Sequence, residues 1–102
     1  MQTALNLSYQ IKQDIENYMR QFGGRYSDWY AGVASDPRKR LFIDHNVDEK
    51  NGAWIFRDCG SDAVARNIED YFLNKGCKGG PGGGDYTTRY VYAYRIGSNT
   101  VE

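Results

Sequence analysis

The apolar residues of this chain switch repeatedly between two spacings, and that alternation limits the folds open to it. Leu7, Ile11, Ile15, Tyr18, Met19 and Phe22 recur every three or four positions with polar residues between them. This is the pattern of an amphipathic helix with one buried stripe. Gly23 and Gly24 end it, because glycine accepts the backbone that a helix C-terminus favours. Ser27 to Ala34 holds Trp29, Tyr30 and Val33, enough for a short strand. Asp36 and Pro37 pair an N-cap acceptor with a proline at the first helical position, so a second helix is expected from Pro37 to Asn46. The polar run from Asp48 to Gly52 reads as a loop, and Ala53 to Arg57 as a second strand. Ser61 caps a third helix whose stripe is Val64, Ile68, Tyr71 and Phe72, with Gly76 as its stop. Tyr90 to Tyr94 alternates cleanly and predicts the last strand.

Helix, strand, helix, strand, helix, strand is thus the expected order. Each helix has one apolar stripe and a small sheet has two faces, so they must cover one another. An α/β (α+β) layered domain follows, with a three-stranded sheet packed by about three helices. At 102 residues, a single domain spanning 1–102 is expected, with a core that needs no metal or disulfide staple.

The 13 basic and 13 acidic side chains cancel. Proteins that coat nucleic acid are usually strongly basic, since phosphate neutralisation supplies most of their affinity. Any nucleic-acid site here is therefore a local patch. No apolar run approaches the ~20 residues of a membrane span. The first residues lack the basic start and apolar core of a signal peptide, so no membrane association and a cytoplasmic location are expected. Cys59 and Cys77 lack metal-ligand spacing and read as two reduced thiols.

The chemistry concentrates between Tyr30 and His45. Tyr30 and Arg40 lie ten positions apart and His45 follows on the same expected helix. An aromatic hydroxyl, a guanidinium and an imidazole are what a site needs to hold a phosphate and move a proton beside it. Here the chain resembles the catalytic core of the GIY-YIG nuclease family. Tyr30-Ala31-Gly32 takes the place of the family's second motif, and Asp36-Pro37-Arg38-Lys39-Arg40-Leu41 is similar to its helix start, with Arg40 at the catalytic arginine. His45 falls one position later than the commonest spacing of the family's histidine. Ala65 to Glu69 resembles the later helix that carries the metal-ligating glutamate, with Glu69 in that position. The likeness covers about half the chain, from Asp28 to Leu73.

One feature departs from the family, which opens with a strand carrying Gly-Ile-Tyr. This chain has an amphipathic helix there. A circularly permuted arrangement would supply the missing tyrosine as Tyr92, provided the last strand lies beside the Tyr30 strand. The resemblance then implies a metal-dependent endonuclease acting on DNA or RNA. Glu69 would hold Mg²⁺ or Mn²⁺, Arg40 would stabilise phosphodiester charge, Tyr30 or Tyr92 would act on the attacking water, and His45 would assist.

Structural roles account for the same residues in another way. A strand tyrosine packs, and Glu69 pairs with Arg66 in solvent. Tyr90, Tyr92 and Tyr94 share one strand face, and such a row serves equally as core, as a base-stacking surface or as a protein interface. A non-catalytic module binding a nucleotide or protein partner, or assembling as a homo-oligomer, is the alternative. Residues 79–84 (Gly-Gly-Pro-Gly-Gly-Gly) lead from a helix towards a strand without Gly-Lys-Ser/Thr, which suits a connector better than a phosphate loop.

Overall fold

A computed structural model describes residues 4–80 and 87–102. Helix α1 spans Ala4–Phe22, strand β1 Trp29–Ala34, β2 Trp54–Asp58, helix α3 Asp62–Lys75 and β3 Tyr90–Arg95, with a short helical segment α2 beginning at Pro37–Lys39. The fold is α+β, and its elements follow the expected order. The caps sit where the sequence puts them: the Ser61 hydroxyl accepts from the Val64 N–H, and Gly76 closes α3 with φ of 119°.

The three strands form one antiparallel sheet in the order β1-β3-β2. The last strand is therefore central and neighbours the Tyr30 strand. Its register sets Tyr30 opposite Tyr94 and Gly32 opposite Tyr92. Because side chains alternate across a strand, β1 and β3 divide cleanly. Trp29, Ala31, Val91 and Ala93 join Ile11, Ile15, Met19, Ile55, Ile68 and Phe72 in one apolar core. Helices α1 and α3 cover that face, bridged by a hydrogen bond from Ser8 Oγ to Asn67 Oδ1. Tyr30, Tyr92 and Tyr94 point the other way and pack with Leu41 and Val47.

The segment over the tyrosine face departs from the α-helix expected from Pro37 to Asn46. Only Pro37–Lys39 is α-helical, and Arg40–Asp44 continues as a π-helical turn. The His45 N–H donates to the Arg40 carbonyl at 2.8 Å and the Val47 N–H to that of Leu41 at 2.9 Å. Such a turn accommodates an extra residue. It ends at Asn46, whose φ of 56° is left-handed, and it lets Leu41, His45 and Val47 all bury themselves.

The outer edge of β1 is closed from the far end of α3. Lys78 pairs with Tyr30 in a parallel bridge, with Ala31 N–H donating to Lys78 O at 2.9 Å and Lys78 N–H to Trp29 O at 2.8 Å. A Cβ on Gly79 would sit 2.5 Å from Leu73 Cδ2 and 3.2 Å from the Ala31 carbonyl oxygen, so a larger residue in this close passage would push the Leu73 side chain aside. The start of the glycine run thus belongs to the sheet edge. Residues 81–84 and Asp85 lie outside the described residues. Cys59 and Cys77 are buried free thiols, with pKa pushed by burial to about 11 and about 12.

Candidate active site at the β1 edge

Tyr30, His45 and Tyr92 meet beside β1, with Arg40 on the turn that leads to His45 and Glu69 on α3. The ring of Tyr92 crosses the strand pair over Gly32, where a Cβ would lie 2.5 Å from its hydroxyl oxygen. Only glycine leaves this path open, which gives the Tyr-x-Gly spacing a steric reason. The hydroxyl reaches His45 Nε2 at 2.8 Å. Tyr30 packs against both, its ring centroid 4.6 Å from that of His45 at a tilt of 53° and 6.3 Å from that of Tyr92, nearly parallel at 18°.

The protons in this network can be assigned. His45 Nδ1 lies 2.6 Å from the Val101 carbonyl oxygen. Two acceptors that close would repel, so Nδ1 carries the hydrogen and donates it. In the neutral ring Nε2 is then an acceptor and takes the Tyr92 O–H. Burial keeps the ring neutral by pulling the His45 pKa below its ordinary value; the Val101 carbonyl works against this and Arg40 with it. The Tyr94 hydroxyl lies 3.1 Å from Nδ1 and packs into the same network. Val101 also donates its N–H to the His45 carbonyl at 2.8 Å, so the segment after β3 grips both the ring and the backbone of His45.

Arg40 faces this network from the π turn. Its guanidinium donates to Asp44 Oδ2 at 3.1 Å, and its positive charge acts on the Tyr92 hydroxyl. Burial nevertheless dominates and raises the Tyr92 pKa to about 12, with Arg40 pulling it back. Tyr30 is also raised by burial, opposed by the Gly80 N–H at its hydroxyl and by Arg40. Both tyrosines are therefore neutral phenols at rest.

Glu69 arrives from α3, in the opposite layer. It is 7% exposed, where the sequence allowed a solvated partner of Arg66. Burial raises its pKa; Asp70 adds to this and Arg66 opposes it. Its charge acts weakly on both Tyr30 and Tyr92. Among the described residues, no group of three His, Cys, Asp or Glu side chains could share a metal ion. Glu69 is the candidate ligand, a carboxylate of the kind that Mg²⁺ or Mn²⁺ takes together with waters and substrate phosphate.

The sequence missed Tyr94, Asp44 and the Val101 carbonyl. Tyr94 carried a signal, since it shares strand parity with Tyr92. Asp44 stands four residues after Arg40, a helical ion-pair spacing. The Val101 carbonyl carried none, because any residue supplies one. No protein-family model matches the chain, and neither a curated protein nor a solved structure does.

Proposed function

We propose that this domain hydrolyses phosphodiester bonds in nucleic acid with the assistance of a divalent metal. One observation carries the reading: the Tyr92 hydroxyl is bonded to a neutral imidazole acceptor, His45 Nε2, at 2.8 Å, within reach of the Arg40 and Glu69 charges. A proton acceptor, a relay hydroxyl and an anion-binding cation thus share one edge.

With a phosphodiester at that edge, Arg40 pairs with a non-bridging oxygen and stabilises the charge that grows there during in-line attack. Tyr92 is 1% exposed, so the turn over it must first give way to substrate. A water then admitted at the Tyr92 oxygen passes it a proton while Tyr92 passes its own to His45 Nε2. The pair thereby acts as a general base without forming a free phenolate, which burial disfavours. The attacking oxygen gains the bond to phosphorus, the leaving oxygen departs with the bonding pair and takes a proton from solvent, and imidazolium releases its proton back through Tyr92 to solvent. Tyr30 packs against the imidazole at a tilt of 53° and restricts its ring. Glu69 would hold Mg²⁺ or Mn²⁺, which would supply further positive charge to the phosphate.

The π turn supports the resemblance to GIY-YIG nucleases in a specific way. His45 comes one residue later than that family's commonest spacing, and a π turn absorbs one extra residue between Arg40 and His45. The central position of β3 likewise suits a permuted order in which Tyr92 replaces the missing first-strand tyrosine.

The test is cleavage of labelled single- and double-stranded DNA and RNA with Mg²⁺ or Mn²⁺, by wild type, Arg40→Ala and Glu69→Gln. Metal-dependent cleavage that falls about 100- to 1,000-fold in Arg40→Ala and disappears in Glu69→Gln is the expected result. A wild type inert on every substrate overturns the reading and leaves a binding module on this fold.

A further inference from the structure

The tyrosine face does not end at the buried network. Trp54 and Phe56 stand on it opposite Tyr94 and Tyr92, and Tyr90 lies two residues before Tyr92 on the central strand. Tyr92 and Tyr94 are only 1% and 0% exposed. Phe42, Trp54, Phe56 and Tyr90, by contrast, remain half-buried. Their rings form a continuous row: Trp54 and Phe56 are near-parallel at 12° with centroids 6.0 Å apart, and Phe42 and Tyr90 flank them edge-on, 4.9 Å from Trp54 and 6.2 Å from Phe56. The row is held rigid, since the Trp54 indole N–H donates to the Glu49 carbonyl at 2.9 Å. Guanidinium groups lie over both ends: Arg38 is 5.2 Å from the Phe42 centroid and 6.0 Å from that of Trp54, and Arg89 is 5.8 Å from that of Tyr90.

We infer that this row is a stacking platform for the unpaired bases of a single-stranded nucleic acid, and that it delivers the strand to the Tyr92–Arg40 edge. The inference rests on the proposed hydrolysis for its direction, and extends it to a substrate class. Flat rings flanked by cations offer what a base and its phosphate need together, a π face and a positive charge. A duplex keeps its bases stacked on each other and cannot use the rings without extruding them. Apolar protein surface would gain the rings but not the cations above them. Arg38 and Arg89 are paired with Glu49 and Asp58, but these are exposed pairs of small worth that a phosphate can replace.

The charge balance sharpens the inference. With no net charge and few cations on this face, stacking must carry most of the affinity. Binding is therefore weakly salt-dependent. Four phosphate contacts, to Arg38, Lys39, Arg40 and Arg89, would give a log–log slope no steeper than about −3.

The experiment is fluorescence anisotropy of labelled oligothymidylate and of a hairpin duplex of equal length, in EDTA so that nothing turns over. Wild type is compared with Trp54→Ala, Phe56→Ala and Phe56→Leu. The leucine variant keeps apolar volume but removes the π face, so it separates stacking from folding, which circular dichroism monitors. Expected are tighter binding of the single strand, a loss of roughly fivefold or more in each variant, and the shallow salt slope. Equal or tighter duplex binding, undiminished binding by Phe56→Leu, or a steep salt slope overturns the platform. So does a wild-type dimer that binds no oligonucleotide and that Trp54→Ala dissociates, since a second copy then covers the row. A wild type that binds the single strand but never cleaves it keeps the platform and removes the hydrolytic reading.

Discussion

The two faces of this sheet are built from the same strands and differ in what they bury. Trp29, Ala31, Val91 and Ala93 bury apolar side chains against α1 and α3. Tyr30, Tyr92 and Tyr94, on the alternate positions, pack their rings around an imidazole, within reach of the Arg40 and Glu69 charges. An apolar face gains stability from packing alone. A polar face must satisfy every group it hides, and holds its groups in fixed mutual orientation as a result. One face therefore stabilises the domain, and the other positions reactive groups.

The largest expected effect tests the first half of that division. Phe72 is fully buried at 0% exposure, and Phe72→Ala should cost about 3–5 kcal/mol by denaturant unfolding. Cleavage per folded molecule should stay near wild type; a proportionate loss of both would mean that the faces are not separable.

Gly32→Ala joins the faces deliberately. Its methyl would meet Tyr92 Oη at 2.5 Å, so the ring must move off the strand. An expected cost of about 1–3 kcal/mol should come with loss of the Tyr92–His45 hydrogen bond. The ¹⁵N shifts of His45, the one histidine in the chain, report that bond directly.

Glu69→Gln should raise stability near neutral pH while abolishing cleavage, because it removes a carboxylate whose charge burial disfavours. Measured stability that falls instead would make Glu69 a structural residue.

The smallest effects are in pH. The folded His45 pKa lies below its ordinary value, so below about pH 6.5 the unfolded chain takes up a proton that the native state refuses. Stability should fall as pH drops through that window. Glu69 acts in the opposite sense: its folded pKa is raised, so its contribution declines as pH rises above the ordinary carboxylate value. Thermal unfolding of His45→Gln and Glu69→Gln against wild type should remove each slope separately.

How much of this was legible differs between the two faces as well. The α1 and α3 stripes, the Ser61 and Gly76 caps and the β3 alternation are local patterns, read within a turn or a few strand residues. Tyr30, Arg40, His45, Tyr92 and Glu69 were all marked as candidates, through residue type and resemblance. The π turn was not foreseen, since Asp36 and Pro37 signal a helix start without specifying how the helix continues. Nor was the burial of Glu69, which depends on where α3 crosses the edge of β1.

The amino-acid order alone determined the elements and the parity that sorts side chains between faces, because both arise from backbone geometry over a few residues. Tertiary structure decided which distant groups became one site. His45 meets Tyr92 across 47 positions and the Val101 carbonyl across 56. The placement of β3 between β1 and β2, the glycine passage beneath the Tyr92 ring and the return of the C-terminal segment onto His45 made those contacts. Each is settled by packing between elements, where no local spacing rule reaches.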